Sequence, residues 1–175
     1  MHSLFPFEDE FWAWDGFEGA ATDEAECIAG WYKSNRWNVS NVQPGYNLDF
    51  RFDNRGEVIR WANMILERID DVPDADQAYK DRVRAEMKFI RAYNNLEGFK
   101  YYGGIPIVDK RFQIDDNMKV PRSSVEETVN AIVRDCDNAI AGLPDSYPPN
   151  MKGRATKGAA LMVKSRALLY AASPL

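Results

Sequence analysis

Apolar residues recur along this chain at spacings of three and four, which predicts helices rather than strands. The longest such stretch, with its exit, is 78–110. One stripe holds Val83, Met87, Ile90 and Asn94 and another Ala85, Phe89, Ala92 and Leu96, so this helix is expected to bury two faces. Asp81 and Glu86 in its first half and Lys100 in its last turn suit the macrodipole, and Gly103-Gly104 permits the backbone conformations that end it. Ile105-Pro106-Ile107-Val108 then leaves as an extended, strand-like exit, because proline cannot continue a helix and biases the residue before it away from helical geometry.

Before it, residues 56–70 read as a helix with Val58, Ala62, Ile65, Leu66 and Ile69 on one stripe, widened by Ile59 and Trp61. Pro73 breaks that pattern, so the two helices should form an antiparallel hairpin. A third helix begins at Pro121-Arg122-Ser123-Ser124. Ser124 with Glu127 makes a capping box, with Ser123 and Glu126 as the shifted alternative, and Val125, Val129, Ile132, Val133, Cys136 and Ile140 form the buried stripe. Gly142-Leu143-Pro144 stops it. Thr156 then caps a fourth helix in which Ala159, Ala160, Val163, Ala167, Leu168 and Ala171 present a small-residue face for close packing. Two hairpins of this kind predict an all-α fold, a superhelix of divergent tetratricopeptide-like hairpins with long loops.

The first 55 residues read differently. Phe5, Phe7, Phe11, Trp12, Trp14 and Phe17 are set among acidic residues without a period, as in an ordered loop. Thr22-Asp23-Glu24-Ala25-Glu26 resembles a helix start leading to Trp31 and Tyr32, and 33–53 is rich in Asn, Ser, Gly and Pro, which is loop chemistry. The expected organisation is one helical domain over 1–175, with an aromatic-rich loop and short-helix region over 1–55 and two helix hairpins over 56–175. Trp31 and Trp61 lie on helix faces and are expected to pack.

Composition narrows the chemistry. A net charge of −5 over 175 residues argues against a nucleic-acid backbone as partner, which needs a basic face. The two cysteines, Cys27 and Cys136, lack CxxC or Cys/His spacing and the single histidine is His2, so neither a zinc site nor a Cys-His nucleophile is expected, and no cofactor is implied. Acidic runs such as Asp70-Asp71 and Asp115-Asp116-Asn117 lack the spaced oxygens of a calcium loop and read as solvated turns. No window approaches the roughly 18 apolar residues needed to span a bilayer, and the opening residues do not read as a signal peptide.

Several strings together resemble one family. Arg84-Ala85-Glu86-Met87-Lys88-Phe89-Ile90-Arg91-Ala92-Tyr93 followed by Tyr101-Tyr102-Gly103-Gly104-Ile105-Pro106-Ile107-Val108 is similar to the "RAEARFLRAF…YGGVPLV" signature of SusD/RagB-like outer-membrane proteins of Bacteroidetes. Pro121-Arg122-Ser123-Ser124-Val125-Glu126-Glu127 and Gly153-Arg154-Ala155-Thr156-Lys157-Gly158 resemble its next two helix entries, and Thr22-Asp23-Glu24-Ala25 and Arg60-Trp61-Ala62-Asn63 fit the earlier places. The resemblance implies a surface lipoprotein of the outer membrane that captures oligosaccharide, polysaccharide or other nutrients and passes them to a SusC-like TonB-dependent transporter. It also implies a longer protein, because a signal peptide with its lipidated cysteine and a C-terminal half are expected of a complete member; membrane attachment would come only through that lipid anchor.

A sugar presents apolar C–H faces and hydroxyls, so its site wants an exposed aromatic plane flanked by groups that donate and accept hydrogen bonds. The run 33–47 supplies that mixture, and Arg36, Trp37, Asn38, Asn41 and Tyr46 are the candidate ligand contacts. Arg84, Glu86 and Arg91 are expected to pair with one another or with neighbouring helices as scaffold. The reading is of a binding protein and not an enzyme. Two other classes compete: a helical-repeat scaffold that binds proteins along its concave face, and a glycoside hydrolase, which would need two carboxylates opposed across a cleft, a pair no spacing singles out.

Overall fold

The computed structural model describes residues 52–173. Four α-helices follow one another among these residues: α1 Phe52–Arg68, α2 Gln77–Tyr102, α3 Val125–Gly142 and α4 Lys157–Ala171. Short 3-10 turns at Ile69–Asp71 and Pro149–Met151 interrupt the connections, and no strand occurs among the described residues. Each helix packs against the next. Arg55 with Tyr101, Asn63 with Arg91 and Asp70 with Arg84 step in opposite directions along α1 and α2, so the first hairpin is antiparallel. Asp137 with Lys164 and Pro144 with Lys157 do the same for α3 and α4. This is the expected all-α arrangement of tetratricopeptide-like hairpins.

The core lies where α2, α3 and α4 meet. Ala85, Phe89, Ala92, Leu96 and Phe99 of α2 pack with Val129, Ile132, Cys136 and Ala139 of α3 and with Ala160, Val163 and Ala167 of α4. The other face of α2 meets α1 through Ile59 and Ala62. α2 therefore buries two faces, as its double stripe predicts. The helices approach closely where side chains are smallest: a Cβ at Gly142 would come within 2.8 Å of the Ala85 Cβ.

Local chemistry sets the helix ends. The Ser124 hydroxyl accepts from the Glu127 amide at 3.1 Å while the Glu127 carboxylate accepts from the Ser124 amide at 2.7 Å, which decides the capping box in favour of the unshifted pair. Thr156 caps α4 by accepting from the Ala159 amide. At the end of α2, Gly103 has φ of 67°, a left-handed conformation natural to glycine.

Several expectations are corrected. α1 starts at Phe52 instead of residue 56, so the helix takes in the end of the stretch 33–53 that read as loop. Its buried line is Arg55, Ile59, Ala62 and Asn63, continued by Ile69 in the 3-10 turn that follows, while Ile65 and Trp61 are exposed, Trp61 to 38%. Ile59, Ala62 and Ile69 are buried as expected, but the same face also carries Arg55 and Asn63, polar side chains that find partners on α2. Val125, Leu168 and Ala171 are likewise exposed. Lys100 lies in the last turn of α2 as expected, while at its start no acidic residue lies in the first turn and Asp76 just outside caps the helix by accepting from the Tyr79 amide at 2.7 Å. The exit 105–108 is neither helical nor paired as a strand among the described residues. Side chains bind its backbone instead, with Asn63 Nδ2 donating to the Val108 and Lys110 carbonyls and the Ile105 amide donating to Thr128 Oγ1.

Candidate functional site

The five residues selected for ligand contact, Arg36, Trp37, Asn38, Asn41 and Tyr46, lie outside the described residues, as does Trp31. What the described residues present is a scaffold held by two charged centres on α2.

The first is sealed. Arg91 donates from Nε to Asp135 Oδ2 at 2.5 Å and from Nη2 to Oδ1 at 2.7 Å, a two-point pairing between side chains only 3% and 1% exposed. The Arg91 Nη1 donates to Asn63 Oδ1 at 2.7 Å and to the Asp109 carbonyl at 3.1 Å. One guanidinium thus ties α1, α2, α3 and the exit after α2 together. Lys88 lies 3.7 Å from Asp135, and burial, then the Arg91 charge, pulls its ammonium below the usual lysine range.

The second centre is at the rim. Glu86 accepts from Arg154 Nε at 2.8 Å and Nη2 at 2.5 Å, and from the Tyr147 hydroxyl at 2.9 Å. Tyr147 and Arg154 come from the connection between α3 and α4, so Glu86 fastens that loop across α2. Burial, then the hydrogen bond to Glu86, raises the Tyr147 hydroxyl above the ordinary phenol, and the same carboxylate raises Arg154. Arg84 pairs with Asp70 and Asp81. The three charged motif residues therefore bind neighbouring elements and not one another.

Chemically, both buried carboxylates are occupied by arginines, which makes them positioning groups for the fold. Their signal was a charged residue inside an apolar stripe: Arg91 between Ile90 and Ala92, and Asp135 beside Cys136. Asn63, Tyr147 and Arg154 gave no such signal, since their role depends on what packs opposite them. Among the described residues no group of three or more His, Cys, Asp or Glu side chains could hold a metal ion, and no helix is long and apolar enough to cross a membrane. Two rings pair with cations toward the surface, the exposed Tyr79 with Arg82 and the half-buried Phe112 with Lys110.

Comparison with known proteins identifies the scaffold. A family model, SusD-like_3, described as "Starch-binding associating with outer membrane", matches residues 8–169. SusD-like protein P25 of Formosa agariphila is 28% identical over 109 residues, which are 62% of this chain and 21% of that protein. A SusD-like protein of Bacteroides fragilis, solved by crystallography, is 35% identical with a TM-score of 0.72, over 82% of this chain and 27% of that one. A laminarin-binding SusD-like protein shares the fold at 23% identity and a TM-score of 0.71, over 78% of this chain and 30% of that one. This chain thus spans about a fifth of the length of the curated relative and about a quarter of the Bacteroides fragilis structure. With a family match over nearly its whole length, and with the same helical hairpins, the chain belongs to the SusD-like family.

Proposed function

We propose that this chain is part of a non-catalytic protein that captures glycans at the outer-membrane surface for uptake. The observation that carries the reading is the family match over 8–169, whose description joins starch binding to the outer membrane. The helical hairpins act as the rigid frame, and the run 33–47 supplies the ligand contacts. Trp37 and Tyr46 offer ring faces to the apolar side of a sugar, while Arg36, Asn38 and Asn41 exchange hydrogen bonds with its hydroxyls. A lipid anchor holds the complete protein to the membrane, and a SusC-like TonB-dependent transporter receives the glycan. The aromatic-rich region over 1–55 serves the ligand and the hairpins over 56–175 serve as support.

Affinity electrophoresis or calorimetry of the 175-residue chain against a panel of soluble polysaccharides tests this, run beside a Trp37→Ala, Tyr46→Ala double variant. Binding by the parent chain and its loss in the variant is the expected result. A folded parent chain that binds no glycan would overturn the assignment of the site to 33–47. Release of new reducing ends from a bound polysaccharide would overturn the non-catalytic reading.

A further inference from the structure

The rim centre on α2 has a feature its structural role does not use. Tyr79, Arg82 and Glu86 follow one another on one stripe of α2, and Tyr147 and Arg154 close over Glu86 from the α3–α4 connection. Glu86 is already filled by Arg154 and Tyr147. Arg82 Nε stands 4.0 Å from Glu86 Oε1, near enough for attraction but too far for a hydrogen bond, and this buried N–H has no hydrogen-bond partner. The Arg82 guanidinium instead lies 5.3 Å from the centroid of the exposed Tyr79 ring, and that of Arg154 lies 6.0 Å from the Tyr147 centroid.

Two guanidiniums against one carboxylate leave a positive charge in excess, on a chain whose net charge is −5. Two other carboxylates near this turn keep their charge but are turned to other donors: Asp76 accepts from the Tyr79 amide that it caps, and Asp81 accepts from Gln77 and shares Arg84 with Asp70. The Arg82 side chain remains 28% exposed. A planar cation with open donors, held against an exposed aromatic ring, matches a sugar that carries an oxyanion.

We propose that Tyr79 and Arg82, backed by Tyr147 and Arg154, form a binding site for acidic saccharides, with the sugar ring stacked on Tyr79 and its carboxylate or sulfate ester bound by Arg82. The proposal rests on the reading that the chain captures glycans, and it names a substrate class and a contact surface separate from 33–47.

The test is a titration of the 175-residue chain with three oligosaccharides of matched length: one carrying uronic acid carboxylates, its sulfated counterpart and a neutral counterpart. Calorimetry gives affinity, and the Arg82 Nε–H resonance in nitrogen-15 spectra gives location. An acidic ligand should bind about tenfold more tightly than the neutral one, a difference of about 1.4 kcal/mol, and shift that resonance; the sulfated and carboxylated arms show which oxyanion is preferred. Arg82→Gln and Tyr79→Ala should each lower the affinity for the acidic ligand about tenfold and so remove the preference, whereas Tyr79→Phe, which keeps the ring face, should retain it. Equal affinity for acidic and neutral ligands, or a preference that survives both variants, overturns the proposal while leaving glycan capture standing. Inorganic sulfate binding as tightly as the sulfated saccharide overturns its saccharide part. If no glycan of any kind binds, glycan capture itself fails and this proposal with it.

Discussion

Two arginine–carboxylate pairs on the same helix do different work. Arg91–Asp135 is closed on every side, shares its remaining donor with Asn63 and the Asp109 carbonyl, and joins four parts of the chain. Glu86–Arg154 has the same two-point geometry, but Arg154 is 39% exposed and the pair joins only one loop to one helix. A sealed ion pair contributes little when intact, because desolvation offsets much of the attraction, yet losing one partner strands a charge. A rim pair is softened by water and salt, so its loss is milder. The first specifies how helices assemble. The second holds a surface in shape and leaves a cation beside it for other use.

The largest expected effect follows from opening the sealed pair. Arg91→Met should lower stability by about 3–5 kcal/mol in urea unfolding, because Asp135 is left charged and buried. Adding Asp135→Leu should recover most of that loss. A double variant as unstable as the single one would mean that the pairing itself carries the energy and would erase the contrast with the rim.

Glu86→Gln should cost about 1–2 kcal/mol, the scale of a lost charged hydrogen bond softened by exposure. Hydrogen exchange should rise in 143–156 and stay unchanged in α1. A loss as large as that of Arg91→Met would show that the α3–α4 connection is as central as the core.

Glu127 extends the comparison to an exposed carboxylate. Its hydrogen bond to the Ser124 amide holds it below the ordinary 4.5 of a glutamate. A lowered carboxyl contributes stability above its unfolded value and loses it as pH falls through the folded one. Glu127→Gln should therefore be less stable than the parent at neutral pH, with the difference closing as pH falls below about 4.5; a gap that persists at low pH would remove charge as its cause.

The smallest expected signal is an absence of reaction. Cys136 lies beside Asp135 in the core, and burial, then the Asp135 charge, pushes its thiol up to about 12. In a Cys27→Ser background, a thiol reagent at pH 8 should not label the native chain but should label it fully in urea. Fast labelling of the native chain would show that the sealed region opens.

Much of this fold was legible. The double stripe of α2, the Ser124–Glu127 box and the Thr156 cap depend on residues within a few positions of each other, and near neighbours settle such features whatever lies beyond. The stripe of α1 was less legible, because Arg55 and Asn63 face inward and Trp61 and Ile65 outward. Burial there is decided by what α2 offers across the interface, which a hydrophobic period does not contain. The surface around Arg82 was illegible for a related reason: Tyr147 and Arg154 stand more than sixty positions from Glu86 in sequence. The candidate contacts in 33–47 rest on the chemistry of the residues alone.

By itself the sequence determined the four described helices, most of their ends, the two hairpins and the family, since these follow from periodicity, short-range hydrogen bonds and recurring strings of residues. Only the tertiary structure decided which charges are sealed and which stand at the rim. That distinction depends on solvent exclusion and on partners from distant elements, and both arise when α1, α2, α3 and the loops close around one another.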